Sequence, residues 1–242
     1  MIAQKTIYES ESKKKIGDFL ADLQVSFKDI NPYILAFVHR SIVNEKPGFT
    51  PEHNERLEFL GDAVLELAIT NRLFLDHPEK QEGELTDIRS ALVRGRNLSE
   101  VAKKLHFDEY LFLGKGEEIG WGRTNDYLLA NTMEAFLGAM YVDIWMEEVT
   151  RFIEVHIYST LSHILEKKLF KDFKTLVQEY TQAEVDITPT YEVIEESGPD
   201  HDKNFCVGIY LGEKEIGRGN GSSKKKAQEQ AAKDGYEKIT KI

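Results

Sequence analysis

The sequence predicts a multidomain chain, an all-α domain followed by a smaller α+β module of order α-β-β-β-α. Three observations predict it. From about Ile16 to Lys168 the apolar residues recur at helical spacing. After Lys167-Lys168 they alternate instead, in short runs separated by Gly and Pro turns. A chain of 242 residues, 41% hydrophobic, has enough apolar side chains for one sizeable core and a second, smaller one. The expected domains are 1–168 and 169–242.

Within the helical part, stop or turn signals fall at Asn31-Pro32, Lys46-Pro47-Gly48, Pro78 and Gly114 to Gly122, so seven or more helices are expected. In the second part, DFKTLVQEYTQAE (172–184) has helical spacing. The runs TPTYEVIEESG, KNFCVGIYLG and EKEIGRGNG alternate as three strands. SSKKKAQEQAAKDGYEKI closes the module as a helix, with Ser222 or Ser223 as its N-cap. The linker near positions 166–171 is short and charged.

Charge and composition exclude several classes. Lys and Arg number 31 against 42 Asp and Glu, a formal net charge of -11, so a general polyanion binder is excluded and any nucleic-acid contact must be a local cluster. Cys206 is the single cysteine, which excludes a disulfide within the chain and a cysteine-based zinc site. The N-terminus has no apolar run of signal-peptide length, and AFLGAMYVDIWM is bounded by Glu134 and interrupted by Asp143. A soluble, cytoplasmic protein with no membrane contact is expected.

The stretch NERLEFLGDAVLEL (54–67) reads as a buried helix, yet it carries four acids. At about 100° per residue, Glu58, Asp62, Glu55 and Glu66 fall within about 80° of one another. Leu57, Phe59, Leu60, Val64 and Leu67 cover most of the remaining circumference, which places the helix inside the domain. Carboxylates packed in a dry core would protonate or unfold it, so the stripe must face a cleft or an interface. Gly61, beside it, would let a second backbone or a ligand come close.

The segment YLLANTMEAFLGAMYVD (127–143) repeats the pattern, with Asn131 and Glu134 on one face and Gly138 a turn further on. Two such helices crossing would bring four oxygen-bearing side chains to one point. Oxygen-only ligation suits a hard cation such as Mg²⁺ or Mn²⁺, and the chemistry it implies is metal-assisted phosphodiester hydrolysis. The competing reading pairs Glu55 and Glu66 with Arg56, Arg72 or other basic neighbours on a solvated face. Spacing leaves both open.

NERLEFLGDAVLEL resembles the signature of bacterial ribonuclease III, and LLANTMEAFLGAMYVD resembles the other catalytic helix of that family. AFVHRS (36–41), EGELTDIRSALV (82–93) and LFLGKGEE (111–118) match in the same order, and the C-terminal module is similar to a double-stranded-RNA-binding domain. The resemblance implies a helical endonuclease domain that forms a homodimer, with Phe59 and Leu60 candidates for its interface. It implies cleavage of both strands of duplex RNA to 5′-phosphates and short 3′ overhangs, and a role in processing ribosomal RNA precursors and structured transcripts.

By position, the resemblance assigns Glu58, Asp62, Asn131 and Glu134 to Mg²⁺, for which Mn²⁺ could substitute, with Asp62 and Glu134 catalytic. It makes Glu55 and Glu82 accessory acids near the RNA. At position 131 the family usually has Asp, and this chain has Asn. An amide oxygen still ligates Mg²⁺ but brings no charge, and a charge pair at about 4 Å is worth roughly 4 kcal/mol at an effective dielectric near 20, before desolvation. Weaker metal affinity is expected. An alternative function, a duplex-RNA-binding protein with impaired cleavage or none, follows from the same substitution.

Positions 169–242 hold 11 basic and 14 acidic residues, so the module is not basic on average. Its cations cluster at Ser223-Lys224-Lys225-Lys226, where a helix start and lysines together make a phosphate site. The GRGNG before it is expected to be a turn whose backbone approaches the RNA. The resemblance assigns Ser223, Lys224 and Lys225 to phosphate. It assigns Thr175, Gln178, Glu179 and Gln182 to one minor groove and His201 to a second. Cys206 and Phe205 are expected in the strand core, His39 as a satisfied structural histidine, and Trp121 on an exposed turn.

Overall fold

A computed structural model describes residues 10–45, 52–166, 173–199 and 203–240, apart from the Asn44 side chain. The chain divides into two compact units, Met1–Phe170 and Lys171–Ile242. The expected boundary between positions 168 and 169 lies outside the described residues, as does His201.

The described part of the first unit is helical: α1 (Ser10–Asp22), α2 (Asn31–Ala36), α3 (Arg40–Glu45), α4 (Glu55–Asp76), α5 (Glu82–Val93), α6 (Gly95–Lys104), α7 (Lys115–Ile119), α8 (Asp126–His156) and α9 (Leu161–Glu166). Pro32 sits in the first turn of α2, where its missing N–H costs nothing. Helix α4 stops before His77-Pro78, because the residue preceding a proline is pushed out of helical geometry. The stretch Gly114 to Gly122, expected to be turn, contains α7. The Glu45 carboxylate accepts from the Lys115 and Gly116 N–H groups at 2.6 and 3.2 Å, a partner 70 residues away that local spacing does not reveal.

Phe19, Phe37, Phe107 and Phe136 form the centre of the core, with ring centroids 5.2 to 6.2 Å apart. Asp143, which interrupts the apolar run of α8, is buried and accepts from the Lys28 and Asp29 N–H groups at 2.8 and 2.9 Å and from the Tyr33 hydroxyl at 3.2 Å. Those bonds tie the α1–α2 connection to α8. Two residues later Trp145 takes a positive φ of 69° and breaks the helix into two segments.

The α4–α8 crossing is the closest packing in the unit. A Cβ on Gly61 would lie 1.7 Å from the Glu134 carbonyl oxygen, and one on Gly138 would lie 2.2 Å from the Leu57 carbonyl oxygen. Each glycine removes the side chain that would hold the other helix away, as the sequence predicts for Gly61. The expectation that α4 lies wholly inside the domain is corrected here. Phe59 is 82% exposed, and Leu67, Phe74 and Leu75 are also exposed. One copy of the chain covers only the face that carries Leu57, Gly61, Val64, Leu65 and Ala68.

The second unit runs α10 (Phe173–Val185), β1 (Thr190–Ser197), β2 (Asn204–Leu211), β3 (Lys214–Gly221) and α11 (Lys224–Thr240), the predicted order. The strands form an antiparallel sheet β1-β2-β3, with Val193 opposite Val207 and Val207 opposite Gly219. Val177, Val207, Ile209, Ile216, Ala227 and Ala231 make its core. Phe205 packs against that core as expected, whereas Cys206 is only half-buried.

The GRGNG expectation is also corrected. These residues belong to β3, and a Cβ on Gly219 would lie 2.2 Å from the Ala231 nitrogen and 2.5 Å from the Ala227 carbonyl. The glycines admit α11 against the sheet; they do not form an RNA-facing turn. No helix of the described residues is long and apolar enough to cross a membrane.

Candidate active site and RNA-binding surface

Helix α4 begins where Asn54 ties it to α2. Asn54 is buried, donates from its backbone to the Val38 carbonyl at 2.9 Å and from its amide to the Ala36 carbonyl at 3.2 Å. Glu55 and Glu58 occupy the first turn of α4, where the helix dipole favours negative charge. Helix α8 begins at Asn125, whose side chain accepts from the Tyr127 N–H at 2.9 Å. Between these two starts the glycine crossing sets the distance.

The crossing brings together Glu58, Asp62, Asn131 and Glu134. Glu134 is half-buried, and its carboxyl is pushed up to about 7, first by burial and then by the Asp62 and Glu58 charges. Glu58 is also raised, chiefly by burial, then by the Glu55 charge, while a hydrogen bond from Asn131 works the other way. The Asn131 amide therefore supports ionised Glu58 where a second carboxylate would repel it. Asp62 is exposed at the edge of the group.

Among the described residues no three of His, Cys, Asp and Glu already close around one point. The donor set is nevertheless oxygen only and partly desolvated, the chemistry a hard cation needs.

Glu66 of the acidic stripe and Glu82 of the assigned accessory acids stand apart. Glu66 is exposed and is not among the groups acting on Glu58 or Glu134. Glu82 opens α5 and lines a different concavity, with Thr70, Phe74, Pro78 and Leu85. Glu55 faces Arg40 at 3.7 Å and His53 at 3.8 Å, a partnership nearer to the solvated-face reading.

A cavity of about 670 Å³ opens beside Glu58 and Asn131 and is also lined by His39, Arg40, Asn54, Glu55, Glu117 and Tyr127 among others. His39, Glu117 and Tyr127 carried no predicted role there, although each lies in a stretch the sequence singles out: AFVHRS, LFLGKGEE and YLLANTMEAFLGAMYVD. The His39 Nδ1 lies 2.9 Å from the Ser41 hydroxyl, so it is satisfied, as expected, and burial holds its pKa below the usual range.

In the second unit Thr175, Gln178, Glu179 and Gln182 are all exposed on α10, opposite buried Val177 and Thr181. Their positions fall within about 100° of the helix circumference. Ser223 caps α11, its hydroxyl accepting from the Lys226 N–H at 3.3 Å. Lys224 places its ammonium 5.7 Å from the Phe205 ring centre, and Lys225 is exposed. Lys174 on α10 donates to Gln228 on α11 at 3.0 Å, which joins the two helix starts into one surface.

A half-buried acidic helix crossing in one unit and a basic helix start beside a polar helix face in the other fit the class that the sequence resemblance implies, two-module nucleases directed to RNA. The comparisons with known proteins narrow it. Residues 29–161 match a family model described as Ribonuclease-III-like, and residues 173–239 match the double-stranded RNA binding motif.

The chain is 41% identical over 225 residues to Ribonuclease 3 of Borreliella afzelii, covering 93% of this chain and 91% of that protein. It is 43% identical over 220 residues to Ribonuclease 3 of Enterococcus faecalis, covering 89% and 93%. The solved nuclease domain of the Campylobacter jejuni ribonuclease III, in a study of flexibility in its dimer-forming region, is 31% identical. It superposes with a TM-score of 0.55 over 60% of this chain and 96% of that one. The chain belongs to the ribonuclease III family and is an endoribonuclease of that type.

Proposed function

We propose that the protein hydrolyses phosphodiester bonds of double-stranded RNA as a cytoplasmic homodimer with Mg²⁺, for which Mn²⁺ can substitute. The products are 5′-phosphates with short 3′ overhangs, and the substrates are ribosomal RNA precursors and structured transcripts. The observation that carries this reading is the convergence of Glu58, Asp62, Asn131 and Glu134 at one helix crossing. These four residues would hold the cation, with Asp62 and Glu134 catalytic. When bound, the ion would supply an activated water and stabilise the leaving oxygen.

The chain's own residues do the rest. Glu134, pushed up to about 7 in the metal-free chain by burial and its acidic neighbours, would give up its proton to bind the cation. The Asn131 hydrogen bond favours the ionised form of Glu58 against the burial and the Glu55 charge that raise its pKa. Glu55 and Glu82 flank the RNA path. Thr175, Gln178, Glu179 and Gln182 meet ribose hydroxyls in one minor groove and His201 meets the next, while Ser223, Lys224 and Lys225 hold phosphates.

The homodimer rests on the uncovered face of α4. Phe59, Ala63, Leu67, Thr70 and Phe74 lie within about 80° on that helix and are all exposed. Near its other end, Leu73, Phe74, Leu75, Pro78 and Leu85 line a groove of about 730 Å³. A ridge at one end and a groove at the other, on one helix, complement a second copy turned by a two-fold axis. Phe59→Glu is expected to convert the dimer to monomer at micromolar concentration, by sedimentation velocity. An unchanged dimer would place the interface elsewhere.

The deciding experiment is cleavage of a long perfect RNA duplex with Mg²⁺, then Mn²⁺, beside a metal-free binding control. Short duplex products from the unmodified protein establish the activity. Binding without products in either metal would overturn the proposed reaction on this substrate. Asn131→Asp is expected to lower the Mg²⁺ needed for half-maximal cleavage roughly tenfold, and to lower Tm in the absence of metal because the new carboxylate faces Glu58. No change in either would remove Asn131 from the site.

Lys225→Ala should weaken RNA binding about equally for all duplex sequences and reduce the slope of log K against log salt by about 1, in filter-binding titrations. An unchanged slope would mean that Lys225 touches no phosphate.

A further inference from the structure

Glu117 and Tyr127, which line the acidic cavity, bracket a loop whose large exposed side chains the reading above does not use. Trp121 is 79% exposed, Tyr127 69% and Ile119 80%. Isolated exposed apolar residues need no explanation, but three within nine positions, beside a site, do. Tyr127 and Glu117 line the same cavity as Glu55, Glu58 and Asn131.

The loop that presents them is held firmly. Trp121 takes φ 64°, in the left-handed region that favours glycine, which is uncommon for a bulky residue. Its carbonyl accepts from both the backbone N–H and the hydroxyl of Thr124, each at 3.1 Å. Arg123 donates to Glu118 and, at 2.7 Å, to the Asp108 carbonyl. Gly122 is buried against Glu117. Such a loop presents the indole from a backbone that needs no ordering on binding.

In a duplex the faces of stacked bases are covered by their neighbours, so a phosphate and ribose surface offers an aromatic ring little. An unstacked base does offer a face, and stacking on it is the commonest use of exposed aromatics in RNA recognition. Resting on the duplex-RNA reading of this same site, we propose that Trp121 and Tyr127 form a stacking rim for an unpaired base close to the scissile bond. The chain would thus select duplexes interrupted by a bulge over perfect ones. Both are substrate-positioning residues.

The test uses two RNA duplexes of identical sequence, one perfect and one with a single bulged purine. For the unmodified protein the bulged duplex is expected to show a KM lower by roughly tenfold at similar kcat, the range that one base–aromatic stack supports. Trp121→Ala should raise that KM to the value for the perfect duplex, and Trp121→Phe should preserve it. In the Trp145→Phe background Trp121 is the single tryptophan. Its emission should be quenched by the bulged RNA in metal-free buffer, and less so by the perfect duplex.

Equal KM for both RNAs, with the perfect duplex still cut, would overturn the inference and leave the proposed function standing. If neither RNA is cut, the proposed function fails while the metal-free quench still decides the rim: quenching supports it, and unchanged emission sinks it. A Trp121→Ala change in oligomeric state without any change in RNA selection would make the loop a protein contact and overturn the proposal.

Discussion

Gly61→Ala is expected to be the most damaging single methyl group in the helical unit. The new Cβ would sit 1.7 Å from the Glu134 carbonyl oxygen and 2.6 Å from its carbonyl carbon, so backbone has to move and no flexible side chain can yield. Overpacking of a tight core costs about 1–3 kcal/mol where side chains can shift, and more where they cannot. A loss of about 3–5 kcal/mol is expected, which at 2–4 °C per kcal/mol for a chain of this size lowers Tm by roughly 10 °C.

Gly138→Ala, 2.2 Å from the Leu57 carbonyl, should behave alike. Gly83→Ala is the control, because a Cβ there meets nothing within 4 Å, and it should be neutral or stabilise by up to about 1 kcal/mol. Thermal unfolding followed by circular dichroism checks all three. Equal Tm for Gly61→Ala and Gly83→Ala would mean that the helices do not cross as described. Because the crossing also spaces Glu58, Asp62 and Glu134, Gly61→Ala should lose activity even below its Tm.

Glu134→Gln is expected to abolish cleavage, by about 10²–10⁴-fold in kcat, and at the same time to stabilise the metal-free protein at neutral and alkaline pH. The sign follows from the raised pKa. Glu134 has its ordinary value of 4.5 when unfolded and about 7 when folded, so the folded state binds the extra proton. Its contribution to stability is fully present below pH 4.5 and is lost as the pH rises through 7. The difference corresponds to about 3 kcal/mol at most, less after solvent screening of a half-buried group.

Glutamine keeps the shape and removes the titration. Chemical denaturation between pH 5 and 8 in EDTA should show the unmodified protein losing stability as pH rises, and Glu134→Gln losing less. Parallel pH profiles would show that Glu134 is not held among the other acids. A variant that remains active would remove it from the chemistry.

The expected elements of the second unit were legible because their signals are local. Alternation in NFCVGIYL, turns at Gly198 and Gly212, and the Ser223 cap before KKK each sit within a few residues. The acidic helices were legible for a different reason: Glu58, Asp62, Asn131 and Glu134 repeat at helical spacing next to a glycine, and family resemblance assigned them roles. The α7 helix was misread because its partner, Glu45, is distant in sequence, and the glycines of β3 because close helix-on-strand packing asks for the same residue as a turn.

The sequence by itself determined the order of the elements, the family, and which acids have a face in common, since those follow from periodicity and residue identity. It could not decide how buried each acid becomes. The fold alone separates Glu134, pushed up to about 7, from exposed Asp62 and Glu66. Burial and mutual charge depend on a backbone approach that two glycines permit and no spacing rule contains. It likewise left Phe59 as either core or interface, because an apolar residue reads the same whether its own chain covers it or a second copy must.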